Sequence, residues 1–367
     1  MKKVLFITNL ASPYRVRFFD ELGKNADVTV VYTDRAKEHR DRETAWFESS
    51  QGNFREIWLR RRLTLFREAN LCWDVIDYIK QDFDDIILCG YSTPTFMLAI
   101  AYMKAKKIPF CLEVDGGLVR SDSGPKFKLK QTLVSAASAW LSSGRYTTDF
   151  LCHYGADRER VYEYPFSSLM AEDILPEIPS VQEKEILRRE LGIIEKNMVL
   201  SIGQFIPRKG FDVLMKAAAR LPKEVGIYIV GGEPTEEYLK ICNALQLKNV
   251  HFCGFMKKDK LSRYYRAADL FVLPTREDIW GLVINEAMAY GLPVITTDLC
   301  VAGLQLVEEG VNGYIVPVDD VAALTEKIDA AMVSDLKQMG KASLGKIQPY
   351  TIENMAKVHV DILEDGR

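Results

Sequence analysis

The chain has 367 residues, of which 48% are hydrophobic and 27% charged, and its formal net charge is −3. That length exceeds what one hydrophobic core usually fills, so two domains of roughly 150 to 180 residues each are expected. The near-neutral balance gives no electrostatic footprint for nucleic acid, and no run reaches the roughly 18 apolar residues that cross a bilayer.

The opening stretch MKKVLFITNLASPYR carries an apolar run too short for an export signal, so a cytoplasmic protein is expected, at most peripheral at the inner face of a membrane. From there short β-rich runs alternate with longer amphipathic ones: VLFIT from Val4 before YRVRFFDELGK, then VTVVYT from Val28. DIILCG from Asp85 precedes TPTFMLAIAYMKAKK, and IPFCLEVDGG precedes KFKLKQTLVSAASAW. This rhythm predicts a parallel α/β sheet. The second half repeats it with MVLSIG before GFDVLMKAAARLP, GIYIVGG before TEEYLKICNALQL and NVHFCGF before DKLSRYYRAAD. LFVLPT before GLVINEAMAYG and a closing LPVITT complete it. Two doubly wound, Rossmann-like domains follow, residues 1–169 and 185–349, with Pro176 and Pro179 marking an irregular linker. The carboxyl ends of such sheets would face a central cleft, and the amphipathic segment from Tyr350 has no strand after it.

Seven cysteines (Cys72, Cys89, Cys111, Cys152, Cys242, Cys253 and Cys300) show no CxxC spacing and read as reduced thiols, so no metal site is expected. Up to Ser168 there are 25 Lys and Arg against 22 Asp and Glu, and beyond it 23 against 29. The basic clusters of the first part, Arg60 to Arg62, Lys104 to Lys107, and Lys126, Lys128 and Lys130, suit contact with anionic headgroups or a phosphorylated acceptor; solvated surface charge is the alternative.

The stretch REDIWGLVINEAMAYGLPVITTD, Arg276 to Asp298, places Glu277 and Asp278 before a helix that opens at Gly281. The free N–H groups of Gly281, Leu282 and Val283 suit a diphosphate, and a carboxylate beside them suits a vicinal diol. Glu286, inside the helix, leans back toward the same opening. Carboxylates that merely complement the helix dipole are the other reading. A second constellation, LSIGQFIPRKGFDVLMK, ends a strand in Gly203 and sets Arg208, Lys209 and Gly210 before a helix, where two cations would neutralise a departing diphosphate.

Together these stretches resemble the carboxyl-terminal domain of the retaining glycosyltransferases of family 4, which have the GT-B fold. SIGQFIPRKG, YIVGGEPTE, VHFCGFM, ADLFVLPT, DIWGLVINEAMAYGLPVITT and LVEEGVNGYIVPVDD stand in the family order over Val199 to Asp320. The resemblance implies a first domain that binds the acceptor, a second that binds the donor, and a terminal helix, about 350–367, that crosses back to the first. It implies that Glu286 holds the nucleotide ribose, that Asp278 faces the transferred sugar, and that Arg208 and Lys209 hold the diphosphate. Gly203, Gly254, Phe255, Gly281, Leu282 and Val283 complete the implied donor site, a nucleotide-diphosphate sugar, UDP-sugar favoured over GDP-sugar, being the donor substrate without cofactor or metal. The sequence departs from the family at three points. Asp278 is one methylene shorter than the usual Glu, which leaves Glu277 as an alternative; Gln204 stands where many members carry Arg; and NLASPYRVRFF replaces a Gly-Gly loop.

In the first domain, IPFCLEVDGGLVRSD sets Glu113 and Asp115 before Gly116 and Gly117, and Asp115 orients an acceptor, contacts a donor hydroxyl or simply forms a turn. His153 and His251 read as structural. The expected activity is sugar transfer to a hydroxyl acceptor, with retention as the family resemblance implies, the acceptor being a bacterial surface glycan or a lipid-linked one. The rivals are a nucleotide-sugar epimerase, a glycosyl phosphorylase, or a binding module without turnover.

Overall fold

The computed structural model describes residues 1–34, 52–64 and 70–364. They divide into two compact units, Met1–Met170 with the segment from Tyr350, and Ala171–Pro349.

In the first unit, strands β1 (Lys3–Thr8), β2 (Asp27–Tyr32) and β3 (Phe54–Trp58) precede a small antiparallel hairpin, β4 (Arg62–Thr64) with β5 (Asn70–Cys72). Strands β6 (Asp85–Leu88), β7 (Cys111–Val114), β8 (Ala139–Ser142) and β9 (Val161–Glu163) follow. The main sheet runs β3-β2-β1-β6-β7-β8-β9, with all its pairs parallel. Helices cover both faces of such a sheet, which is why its central strands read as unbroken apolar runs; Val4, Leu5, Phe6 and Ile7 are all buried. The amphipathic run expected from Lys126 to Trp140 is in fact two elements. The helix Pro125–Val134 stops, and Ala139 and Trp140 open strand β8, where the indole donates to the Val134 carbonyl at 2.9 Å. The helix Ile352–Glu364 lies on the helix Pro13–Leu22, burying Ile352, Met355, Ala356, His359, Ile362 and Leu363. The rest of that expected terminal segment, residues 365–367, lies outside the described residues.

The second unit holds β10 (Asn197–Ile202), β11 (Val225–Val230), β12 (Val250–Phe252), β13 (Leu270–Leu273), β14 (Val294–Thr297) and β15 (Gly313–Val316). Its all-parallel order, β12-β11-β10-β13-β14-β15, reverses direction at β10, the switch point beside which open α/β sheets bind ligands. Residues 171–184, expected as part of a linker, belong to this unit. Ser180 and Glu183 form a reciprocal capping box that starts the helix Val181–Leu191. Lys184 and Arg188 of that helix then pair with Asp269, just ahead of β13.

Candidate functional site

Two loops meet at the carboxyl ends of β10 and β13. After β10 the chain makes a short 3-10 turn, Pro207–Lys209, and Gly210 then takes a left-handed conformation at φ 69° to start the helix Phe211–Ala218. A Cβ on Gly210 would lie 2.0 Å from the Pro274 carbonyl oxygen, so only glycine lets this loop lie on the end of β13. The contact is reinforced by the Arg276 amide, which donates to the Arg208 carbonyl at 2.8 Å.

This juxtaposition brings three of the expected site residues together. The Lys209 ammonium sits 2.6 Å from the Asp278 carboxylate, and both side chains are only 13% exposed. Arg208, more exposed, lies 3.4 Å from the same carboxylate and donates to the Glu277 carbonyl at 2.8 Å. Asp278 is held from behind, because its amide donates to the Leu299 carbonyl and its carbonyl accepts from the Val301 amide. The adjacent Cys300 thiol is pushed up to about 12, by burial first and then by the Asp278 charge.

Immediately after, Gly281 at φ 107° starts the helix Leu282–Ala289, and the Trp280 indole donates to Asn285 at 2.8 Å in the interior. Leu282 and Val283 form its half-buried first turn. Glu286 is half-buried on this helix and accepts from the Tyr265 hydroxyl at 2.9 Å; Tyr265 in turn stacks on Tyr290. Burial pushes the Glu286 carboxyl up, and the Tyr265 hydrogen bond offsets only part of that. Glu286 thus has a partner that the sequence did not reveal. Gly203 follows β10, and Gly254 follows β12 at φ 66°, its carbonyl accepting from the Gly231 amide; Phe255 beside it is 62% exposed, an aromatic face open to solvent.

In the first unit, Asp115 is not a free turn residue. Arg15, buried on the helix Pro13–Leu22, forks between Glu113 at 2.7 Å and Asp115, and the Tyr164 hydroxyl donates to Asp115 at 3.1 Å. Glu113 also accepts from the Cys89 thiol, and the buried His359 ring stands 3.8 Å from it, between Phe18 and Tyr164. Burial opposes the ionisation of Glu113, but Arg15 and, after it, His359 together outweigh it and hold this carboxyl below the usual carboxylate range. Asp115, by contrast, is pushed up by burial and by the charge of Glu113. Sequence reasoning missed Arg15, although Arg15, Phe18, Phe19 and Leu22 share one helical face, and a charge on an apolar stripe demands a partner. His251 pairs with Glu195 at 2.7 Å and stacks on Tyr228, and His153 lies 3.6 Å from Asp122 in an aromatic cluster.

The two parallel sheets and their order define a GT-B protein, and solved structures agree. HepE from Anabaena in complex with UDP superposes with a TM-score of 0.78 at 18% identity, covering 99% of this chain and 100% of that one. The sucrose-phosphate synthase of Thermosynechococcus elongatus gives 0.74 at 18%, covering 97% of each. At such identities the likeness is one of fold. The family described as glycosyl transferases group 1 matches residues 183–343, all within the second unit. A D-inositol 3-phosphate glycosyltransferase of Xylanimonas cellulosilytica is 31% identical over 222 residues, 56% of this chain and 51% of that protein. The lipopolysaccharide glucosyltransferase WaaG of Escherichia coli is 32% identical over 158 residues, 41% of each. The chain thus spans about half the length of the curated relatives it matches.

Proposed function

We propose that this chain is a retaining glycosyltransferase of family 4 that moves a sugar from a nucleotide-diphosphate sugar to a hydroxyl acceptor. The observation that carries the reading is the convergence of Arg208 and Lys209 on Asp278, at the switch point of a sheet and one turn ahead of the helix Leu282–Ala289. Two cations held at a fixed place stabilise negative charge that develops only as the diphosphate leaves. In the reaction, the bond from the anomeric carbon to the diphosphate oxygen breaks and the acceptor oxygen bonds to that carbon on the same face. The acceptor proton passes to the departing phosphate oxygen.

Asp278 would face the sugar and Glu286 the ribose hydroxyls. The amides from Gly281 to Val283, with Gly203, Gly254 and Phe255, would surround the nucleotide. Asp115, held by Arg15 and Tyr164, would orient the acceptor. In this scheme Arg208 and Lys209 take the place of a divalent ion, so donor binding survives chelator. UDP is the favoured nucleotide, in keeping with HepE, a similar fold solved with UDP and with UDP-glucose. A surface glycan or lipid-linked acceptor is in keeping with the relative named for lipopolysaccharide and with the basic clusters of the first unit, which suit peripheral contact with an anionic membrane. Among the described residues no helix is long and apolar enough to cross a membrane.

Calorimetric titration with UDP, GDP and ADP and their sugars, without metal, tests the reading on the parent protein and on Glu286→Ala. Binding of one nucleotide family, lost in the variant, supports it, and no binding by any of them refutes it. Donor conversion without an acceptor would point to an epimerase, and a requirement for inorganic phosphate to a phosphorylase.

A further inference from the structure

The Arg276 side chain reaches two segments far from it in sequence, residues 207–212 and the loop of Asp319. Its Nη2 donates to Asp212 Oδ2 at 2.8 Å, on the first turn of the helix after Gly210, and its Nε donates to Asp319 Oδ1 at 2.7 Å, in the loop after β15. Its Nη1 donates to the Pro207 carbonyl, inside the turn that carries Arg208 and Lys209. Its own amide donates to the Arg208 carbonyl, and the neighbouring Thr275 hydroxyl lies 3.0 Å from that same carbonyl and 3.0 Å from the carbonyl of Glu277. One residue therefore ties together the strand-end loops of β10, β13 and β15.

Each bond has the chemistry of a fixed fork. The planar guanidinium presents donors in set directions to two carboxylates and a carbonyl, whereas a lysine ammonium is a single point that could satisfy one of them well. Both electrostatic partners respond: burial pushes Asp212 up, but Arg276 first and Lys216 after it together hold it below the ordinary carboxylate range, and Arg276 is raised, by the Asp212 hydrogen bond first. Asp319 adopts a left-handed conformation at φ 61°, uncommon for a residue other than glycine, and the Arg276 contact lies on its side chain. The fork donates to Asp212, Asp319 and the Pro207 carbonyl, while Lys209 pairs with Asp278, so Arg276 acts on that pair through the backbone of the turn.

We infer that Arg276 is a positioning residue that presents Arg208 and Lys209 to the leaving diphosphate by clamping the loops after β10, β13 and β15. This rests on the proposed transfer reaction. A clamp of this kind matters most where charge develops, because the cations must already be in place when the bond to the diphosphate breaks. Loosening it therefore lowers kcat more than it weakens ground-state binding of the donor.

The test compares the parent protein with Arg276→Lys, which keeps the charge and loses the fork, and with Asp319→Asn, which weakens one arm. The expected result for Arg276→Lys is a kcat lower by about ten- to a hundredfold, with the donor KM within about threefold of the parent. Asp319→Asn should fall between the two. In an Arg208→Ala, Lys209→Ala background Arg276→Lys should add little further loss, since both residues being positioned are gone. Amide hydrogen exchange gives a readout independent of turnover: Arg276→Lys should speed exchange in residues 204–210 and 276–281 and leave the strands β11 and β14 unchanged. Unaltered loop exchange, or a full additional loss in the background lacking both cations, would overturn the inference even if the parent protein transfers sugar. Selective loosening in a parent protein that binds no nucleoside diphosphate would uphold the clamp and sink the transfer reaction.

Discussion

Asp278→Asn should tighten the binding of a free nucleoside diphosphate while abolishing or severely slowing transfer. In the unliganded chain the Asp278 carboxylate already occupies the two cations, with Lys209 at 2.6 Å and Arg208 at 3.4 Å. An incoming diphosphate must share them with that carboxylate. A hydrogen bond to a charged group contributes about 1.5–3 kcal/mol, and every ~1.4 kcal/mol is tenfold in affinity, so removing the competitor should tighten UDP binding by roughly ten- to a hundredfold. The same energy leaves the folded state of the free protein, because Lys209 loses its anion in a site where only 13% of its side chain is exposed. A lowering of Tm by roughly 3–12 °C is expected, and saturating UDP should recover much of it. Calorimetry with UDP, which lacks the sugar that Asp278 is proposed to face, isolates the competition from sugar recognition. Unchanged or weaker UDP binding in the variant would refute the idea that Asp278 holds the cations in reserve.

Arg15→Met leaves the buried Glu113 and Asp115 without their shared cation, and a loss of about 3–5 kcal/mol in urea unfolding is expected. Glu113 has a folded pKa below its unfolded one, so its contribution is present above the ordinary carboxylate range and is lost as the pH falls through the folded value; the gap between parent and variant should therefore narrow on acidification, and a constant gap would rule out this cause. Glu286 has the opposite sign. Its raised folded pKa means that stability is greatest below the unfolded value and declines as the pH rises through the folded one, so Glu286→Gln should be at least as stable as the parent near neutrality while losing nucleotide affinity, which parallel melting and titration curves would check. Gly210→Ala forces a Cβ to 2.0 Å from the Pro274 carbonyl at a left-handed φ, so a stability loss above the ~1–2 kcal/mol of the backbone conformation alone is expected, together with weaker UDP binding; a fully tolerated alanine would show that the two loops are not in register in solution.

Much of the architecture was legible because parallel strands covered on both faces leave continuous apolar runs such as VLFIT and IYIV, and because each is followed by an amphipathic helix. The error at Lys126–Trp140 arose where a helix and a buried strand abut with little polar punctuation, so that period alone could not separate them. Within the site, Arg208, Lys209 and Asp278 could be named from their spacing to strand ends and glycines, and the fold brings them into contact. The partners of Glu286 and Arg276 could not, since Tyr265 sits on another helix, and Asp212, on the helix after Gly210, and Asp319, in the loop after β15, lie far from Arg276 in sequence. Arg15 and His359 are intermediate. Each stands on the apolar stripe of its helix, a pattern that announces a buried polar group without saying what satisfies it.

The packing of Ile352–Glu364 on Pro13–Leu22 also orders events during synthesis. The first unit buries Met355, His359 and Leu363 in its own core, yet these residues are made only after the whole of the second unit. On the ribosome the second unit, contiguous from Ala171 to Pro349, has all of its strands before the first unit has its last helix. The earlier-made half therefore waits with an uncovered helix face around Phe18 and is the half more exposed to misassembly and to chaperones, whereas the later-made half can close on its own.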